Sequence, residues 1–140
     1  MKTGIKVVDA MTRTPIKVGP NETLLNCAQK MMVGDVGSLI IEENGVLLGI
    51  LTEKDIVNKV VSKNLDIETT PVKKVMSTTM IKISPDLDLY DAIYFMSREG
   101  VRRLPVTDGD KLIGLLTYKD VLKIQPDLYD IFIEKFKLRR

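Results

Sequence analysis

Sliding the sequence along itself by 65 positions lays Met76 on Met11 and continues without a gap to Leu122 on Val57. Along that run Thr14 meets Thr79, Ile16 meets Ile81, Lys17 meets Lys82, Pro20 meets Pro85, Leu24 meets Leu89, Met31 meets Met96, Leu39 meets Leu104 and Gly49 meets Gly114. The closing stretch matches most tightly. Gly49-Ile50-Leu51-Thr52-Glu53-Lys54-Asp55 falls on Gly114-Leu115-Leu116-Thr117-Tyr118-Lys119-Asp120 and keeps Gly, Leu, Thr, Lys and Asp at fixed spacing. A period this long is not that of a solenoid. A duplicated chain of this length is one unit built about a pseudo-two-fold axis, and such an axis leaves a cleft between its copies.

Each copy reads as strand, helix, strand, strand, helix. In the first, Thr14 to Val18 is extended and ends at Gly19-Pro20; Leu24, Cys27, Ala28 and Met31 then follow helical spacing, with Asn21 placed to cap them. Gly34 to Gly37 ends the helix, Ser38-Leu39-Ile40-Ile41 is a buried strand, and Glu42-Glu43-Asn44-Gly45 carries the Asn-Gly signal of a hairpin whose return strand is Val46 to Leu51. A second helix starts at Thr52 and runs to about Val61. The second copy repeats the order with a strand at Met80 to Ile83, a helix carrying Leu89, Ala92, Ile93 and Met96, strands Arg103 to Val106 and Lys111 to Leu116 about Asp108-Gly109-Asp110, and a helix from Thr117. Polar residues 62–70 lead to Pro71 and read as a linker. The chain thus divides into a first repeat at 7–61, the linker at 62–70, a second repeat at 71–124 and a C-terminal helical extension at 125–140. The extension starts at Pro126-Asp127 and carries Leu128, Tyr129, Ile131, Phe132, Ile133 and Phe136; it either folds back on its own module or packs across a dimer.

Composition narrows the function. A chain of 140 residues that is 44% hydrophobic buries a core without disulfide or metal support. No apolar run approaches a membrane span, and Met1 to Lys6 is not followed by the apolar stretch of a signal peptide, so the expected compartment is the cytoplasm. With 21 basic and 19 acidic residues the net charge of +2 offers no broad field for nucleic acid or membrane. The cluster Lys135, Lys137, Arg139 and Arg140 is either solvated or a local nucleic-acid contact. There is no histidine and one cysteine, Cys27, whose repeat partner is Ala92 on the buried face of a helix. That inventory removes zinc sites, Ser-His-Asp triads and Cys-His pairs, and assigns Cys27 and the seven methionines to packing.

The pattern resembles the CBS domain, named after cystathionine β-synthase, in the tandem arrangement called a Bateman module. The resemblance spans roughly residues 7 to 124. It rests on Asp9-Ala10-Met11-Thr12, on Val101-Arg102-Arg103-Leu104-Pro105-Val106-Thr107-Asp108, and on a Gly-x-x-Thr-x-x-Asp that closes both copies. It implies an α+β fold of two similar units about a pseudo-two-fold axis, each with a three-stranded sheet, and clefts that commonly bind adenosine derivatives such as AMP, ADP, ATP or S-adenosylmethionine. It also implies a non-catalytic, free-standing module that pairs as a homodimer, needs no cofactor and acts on a protein partner. The first copy departs from the family pattern where Ile40 replaces a proline and where Gly37-Ser38 replaces Arg102-Arg103.

Thr52 and Asp55, and likewise Thr117 and Asp120, form a capping arrangement that needs no ligand, since the hydroxyl takes an amide of the first turn and the carboxylate favours the positive helix end. The same geometry suits a ligand, because a helix start offers amide donors and a carboxylate accepts both hydroxyls of a ribose. Arg102 and Arg103 are either a solvated strand end or a forked pair of phosphate donors. By the resemblance, Asp55 works with Arg102, Arg103 and Lys119, and Asp120 with Ser38 and Lys54, a poorer cationic set. Thr14 and Thr79 are either turn residues or family positions lining the nucleoside pocket, whose apolar walls are Ile16, Ile50, Ile81 and Leu115. The expected function is regulatory binding of an adenosine nucleotide. The alternative is a ligand-free interaction module whose caps are only caps, and no constellation of nucleophile, metal set and lid supports an enzyme.

Overall fold

The computed structural model describes residues 2–128 and 130. In chain order the elements are a helical turn α1 (Val7–Ala10), β1 (Lys17–Val18), α2 (Leu24–Gly34), β2 (Ser38–Glu43), β3 (Val46–Thr52), α3 (Glu53–Asp55, continuing as a π-helix over Ile56–Val61), α4 (Leu89–Glu99), β4 (Arg103–Asp108), β5 (Lys111–Thr117) and α5 (Tyr118–Ile124). Short 3-10 turns cover Val72–Lys74 and Pro126–Leu128. The fold is α+β. Most of the predicted extension at 125–140, with its terminal basic cluster, lies outside the described residues.

The chain forms two compact units, Pro15–Met80 on the one hand and Met1–Thr14 with Ile81–Arg140 on the other. They do not follow the sequence repeats. The segment before Pro15 belongs with the body of the second repeat, and the segment that ends at Met80 belongs with the body of the first.

In the Pro15–Met80 unit, β1 runs parallel to β2 and β2 antiparallel to β3, with Leu39 opposite Leu51 and Ile40 opposite Ile50. The hairpin turns at Asn44-Gly45, both at positive φ, which is the pattern of a type I′ turn. Helix α2 buries Leu24, Cys27 and Met31 against Leu39, Ile41, Leu51, Val60, Val72 and Val75. Its cap is Thr23, whose hydroxyl accepts the Asn26 amide at 3.2 Å, and not the expected Asn21. The linker supplies the other acceptors, as Leu24 N donates to Thr70 O and Leu25 N to Ile67 O, both at 3.0 Å. Helix α2 ends within the expected Gly34 to Gly37 stretch, with Gly34 as its last residue and Asp35 as a left-handed cap. The predicted helix to Val61 is present, but its second half is wound as a π-helix in which Ser62 N reaches back to Val57 O. Met32 is 75% exposed, so the methionines are not all packing.

In the other unit, β4 and β5 pair antiparallel with Arg103 opposite Thr117 and Leu104 opposite Leu116. The expected strand at Met80 to Ile83 reduces to one parallel bridge, Ile83 to Val106. Helix α4 buries Leu89, Ala92, Ile93 and Met96, and these join Val7, Met11, Leu104, Val106, Leu116 and Val121 in one core. The N-terminal segment is therefore structural. Val7 N donates to Leu87 O at 2.8 Å, Val8 N to Pro85 O at 3.0 Å, and the Asp88 carboxylate gathers the Thr3 amide and hydroxyl, the Gly4 amide and the Tyr90 amide between 2.8 and 3.1 Å. Partial burial pushes the Asp88 carboxyl up, but the donors from Thr3, Tyr90 and Gly4 outweigh it and hold its pKa at about 2.

Candidate functional site

The start of α3 is built by the end of the β2–β3 hairpin. Ser38 is paired with Thr52, and Glu53 N donates to Gly37 O at 3.1 Å. Thr52 and Asp55 then close a reciprocal capping box, with Asp55 N donating to Thr52 Oγ1 at 3.1 Å and Thr52 N donating to Asp55 Oδ2 at 2.9 Å. The second oxygen, Oδ1, lies 3.2 Å from Lys59 Nζ, and the Asp55 side chain is 14% exposed. The segment ending at Met80 passes beside this corner. Ser77 and Ile50 exchange backbone hydrogen bonds at 2.9 and 3.0 Å, a contact so close that a Cβ on Gly49 would come 2.9 Å from Ser77 O. Thr79 follows, exposed, and Lys54 is exposed on the first turn.

The same corner is built again around Asp120. Arg103 is paired with Thr117, and Tyr118 N donates to Arg102 O at 2.9 Å. Thr117 and Asp120 close a capping box at 3.0 and 3.2 Å. Thr12 and Leu115 exchange backbone hydrogen bonds at 2.8 and 2.9 Å, and a Cβ on Gly114 would come 2.9 Å from Thr12 O. Here the lead segment adds a side chain, since the Thr12 hydroxyl stands 3.3 Å from both Asp120 oxygens. Thr14, Arg102 and Lys119 are exposed and Arg103 is half-buried.

The predicted residues therefore fall into two sets, Ser38, Thr52, Lys54, Asp55 and Thr79 in one unit and Thr14, Arg102, Arg103, Thr117, Lys119 and Asp120 in the other. Each set holds a carboxylate fixed at a helix start with a threonine-bearing segment of the opposite repeat beside it. Such a carboxylate can accept a pair of hydroxyls, because only one of its oxygens serves the cap. Lys59, Thr12 and Ser77 were not among the predicted site residues. Lys59 is legible as the i+4 partner of Asp55, whereas nothing local in the sequence announces that Thr12 packs against Asp120.

Cys27 is fully buried, and burial, reinforced by the charge of Glu22, pushes its thiol up to about 11, which suits packing and not nucleophilic work. Among the described residues no three His, Cys, Asp or Glu side chains gather as a metal site, and no helix is long and apolar enough to cross a membrane. An open groove of about 450 Å³ on α2, lined by Ile16, Glu22, Asn26, Lys30 and Val33 among others, includes neither Asp55 nor Asp120.

Comparison with known proteins places the chain in a family. The CBS domain matches residues 7–62 and again 72–127. The CBS domain-containing protein YhcV of Bacillus subtilis is 36% identical over 115 residues, covering 82% of this chain and 81% of the relative. An uncharacterised protein of Methanopyrus kandleri is 34% identical over 135 residues, covering 95% of this chain and 69% of the relative. Among solved structures, a CBS-domain protein from Burkholderia ambifaria superposes with a TM-score of 0.78 at 27% identity, covering 88% of this chain and 96% of that one.

Proposed function

Because the chain belongs to the CBS domain family and carries two of its domains in tandem, we propose that it is a regulatory module that binds an adenosine nucleotide of the AMP, ADP or ATP class, with Asp55 and Asp120 taking ribose hydroxyls. Tandem CBS pairs are in general regulatory, non-catalytic modules. The observation that supports the reading is the twice-built corner: each carboxylate has one oxygen on its cap and a side chain beside it, Lys59 at Asp55 and Thr12 at Asp120. Thr14 and Thr79 flank the nucleoside, and Arg102, Arg103 and Lys119 carry the phosphate, with Ser38 and Lys54 as the weaker second set. A guanidinium offers forked donors that match phosphate oxygens, which a lone ammonium does not.

Calorimetry against AMP, ADP, ATP, NAD and S-adenosylmethionine tests the reading. A bound nucleotide raises stability by about 2.7 kcal/mol at a free concentration of roughly 100 times its dissociation constant. Asp55→Ala is expected to lose much of that gain in addition to about 1 kcal/mol from the broken cap. If the variant is merely less stable and takes up nucleotide as the wild type does, Asp55 is a cap alone.

A second reading has its own support. The capping boxes account for both carboxylates without a ligand, and Met32, Val33, Val57 and Val61 are 60 to 82% exposed in the Pro15–Met80 unit. In that reading the chain is an interaction module that pairs with a second copy or another protein. A dimer in light scattering whose melting temperature ignores every nucleotide in the panel would select it.

A further inference from the structure

We infer that Lys59 is a built-in competitor at Asp55, a residue that sets how strongly this carboxylate takes ribose hydroxyls; the inference rests on the ribose reading proposed above. Lys59 Nζ lies 3.2 Å from Asp55 Oδ1 and donates to Val75 O at 3.2 Å. The ammonium is thus held between two acceptors of its own unit and is not a loose surface charge. Asp55 does not need it for orientation, because the capping box already fixes the carboxylate through Thr52 N. What Lys59 changes is the acceptor itself. It occupies Oδ1, the oxygen that the cap leaves open, and offsets the negative charge that strengthens a hydrogen bond from a hydroxyl. A ribose diol spanning both oxygens must share Oδ1 with the ammonium or displace it toward Val75.

The other unit carries no lysine at the equivalent helical position. The position equivalent to Lys59 is Ile124, and Asp120 receives the neutral Thr12 hydroxyl, which rotates to accept or donate as a ligand requires. Position 77, equivalent to Thr12, is a serine whose hydroxyl turns to Thr79 O at 3.4 Å and leaves Asp55 to the lysine. The two carboxylates share a motif and differ in charge environment.

The test uses Lys59→Met, which keeps the apolar stem and removes the charge, in an Asp120→Asn background that retains a cap acceptor and confines ribose binding to Asp55. Adenosine and AMP are titrated separately by calorimetry. Both are expected to bind about three-fold tighter than to the Asp120→Asn parent, and Lys59→Arg, which restores the cation, is expected to return the parent affinity. Lys59→Gln gives the same direction should the methionine variant fail to fold. Affinities unchanged by Lys59→Met, in a parent that binds both ligands, overturn the inference alone. Weaker AMP binding with adenosine unchanged also overturns it, by making Lys59 a phosphate ligand. If neither adenosine nor AMP binds the parent or the wild type, the inference falls together with the ribose reading.

Discussion

In the Pro15–Met80 unit the helix that carries Asp55 runs on to Val61 and widens into a π-helix, and Lys59 returns onto the carboxylate from one turn away. In the other unit the equivalent helix stops at Ile124 ahead of Gln125-Pro126, and Asp120 is met by a hydroxyl from the N-terminal segment. The caps are the same because they are local, made by Thr-x-x-Asp whatever follows. The charge around each carboxylate is not local in that sense. It depends on how the helix continues and on which segment packs beside it, so duplicated motifs need not be duplicated sites.

The largest test of this comparison concerns the lead segments. Deleting residues 1–12 removes Val7 and Met11, which are 0% and 8% exposed, from the core that contains Leu104, Leu116 and Val121. Burial of two such side chains contributes about 3 to 6 kcal/mol. Hydrogen exchange is expected to show protection lost across α4, β4 and β5 while α2, β2 and β3 keep theirs. Equal loss in both units would mean that the segment stabilises the chain as a whole and that the division into units carries no energetic weight.

Acid separates the units by a smaller amount. Thr23 and Asp88 occupy equivalent positions, each capping the long helix of its unit, but only Asp88 is ionised. With its pKa lowered from an ordinary 3.8 to about 2, Asp88 contributes stability that is fully present above about pH 4 and is lost as the pH falls toward 2. Helix α4 is therefore expected to loosen before α2 between pH 4 and pH 2. Asp88→Ala costs about 1 to 2 kcal/mol at neutral pH and removes that difference. Backbone NMR shifts followed through the titration would refute the account if α2 moved first, or if Asp88→Ala left the order unchanged.

How much of this was legible follows the range of the interactions. The long helices, both hairpins and both capping boxes could be read because apolar spacing, the turn signals Asn44-Gly45 and Asp108-Gly109-Asp110, and Thr-x-x-Asp act within a few residues. Thr23 displaced Asn21 as the cap because the linker carbonyls of Ile67 and Thr70 fix where α2 begins, and they lie more than 40 residues downstream. The strand expected at Met80 to Ile83 shrank to a single bridge for a similar reason, since pairing depends on the partner strand as well as on the apolar run. The π winding of Ile56–Val61 has a cue only in hindsight, in the β-branched Ile56, Val57, Val60 and Val61 that crowd an α-helical turn. Of the candidate site, the carboxylates and their caps were readable. Thr12 was not, because its place beside Asp120 is made by a segment 108 residues away in the chain.

The smallest contrast lies in the two hairpin turns, and it isolates backbone conformation from everything else. Asn44 and Gly45 both have positive φ, at 53° and 82°, whereas in the equivalent pair Gly109 has a φ of 63° and Asp110 is not among the positive-φ residues, as expected of a type II′ turn. A side chain at Gly45 meets nothing within 4 Å, so Gly45→Ala adds no clash. Its cost is the left-handed conformation alone, about 1 to 2 kcal/mol for a residue with a Cβ. Asp110→Ala sits at the other turn's second position, where no such conformation is demanded, and is expected to stay within about 0.5 kcal/mol of wild type. Urea midpoints at constant slope measure both variants. Equal midpoints would show that the turns share one geometry, and a changed slope for Gly45→Ala would show that the substitution alters the compactness of a state or the cooperativity of unfolding and does more than strain the turn.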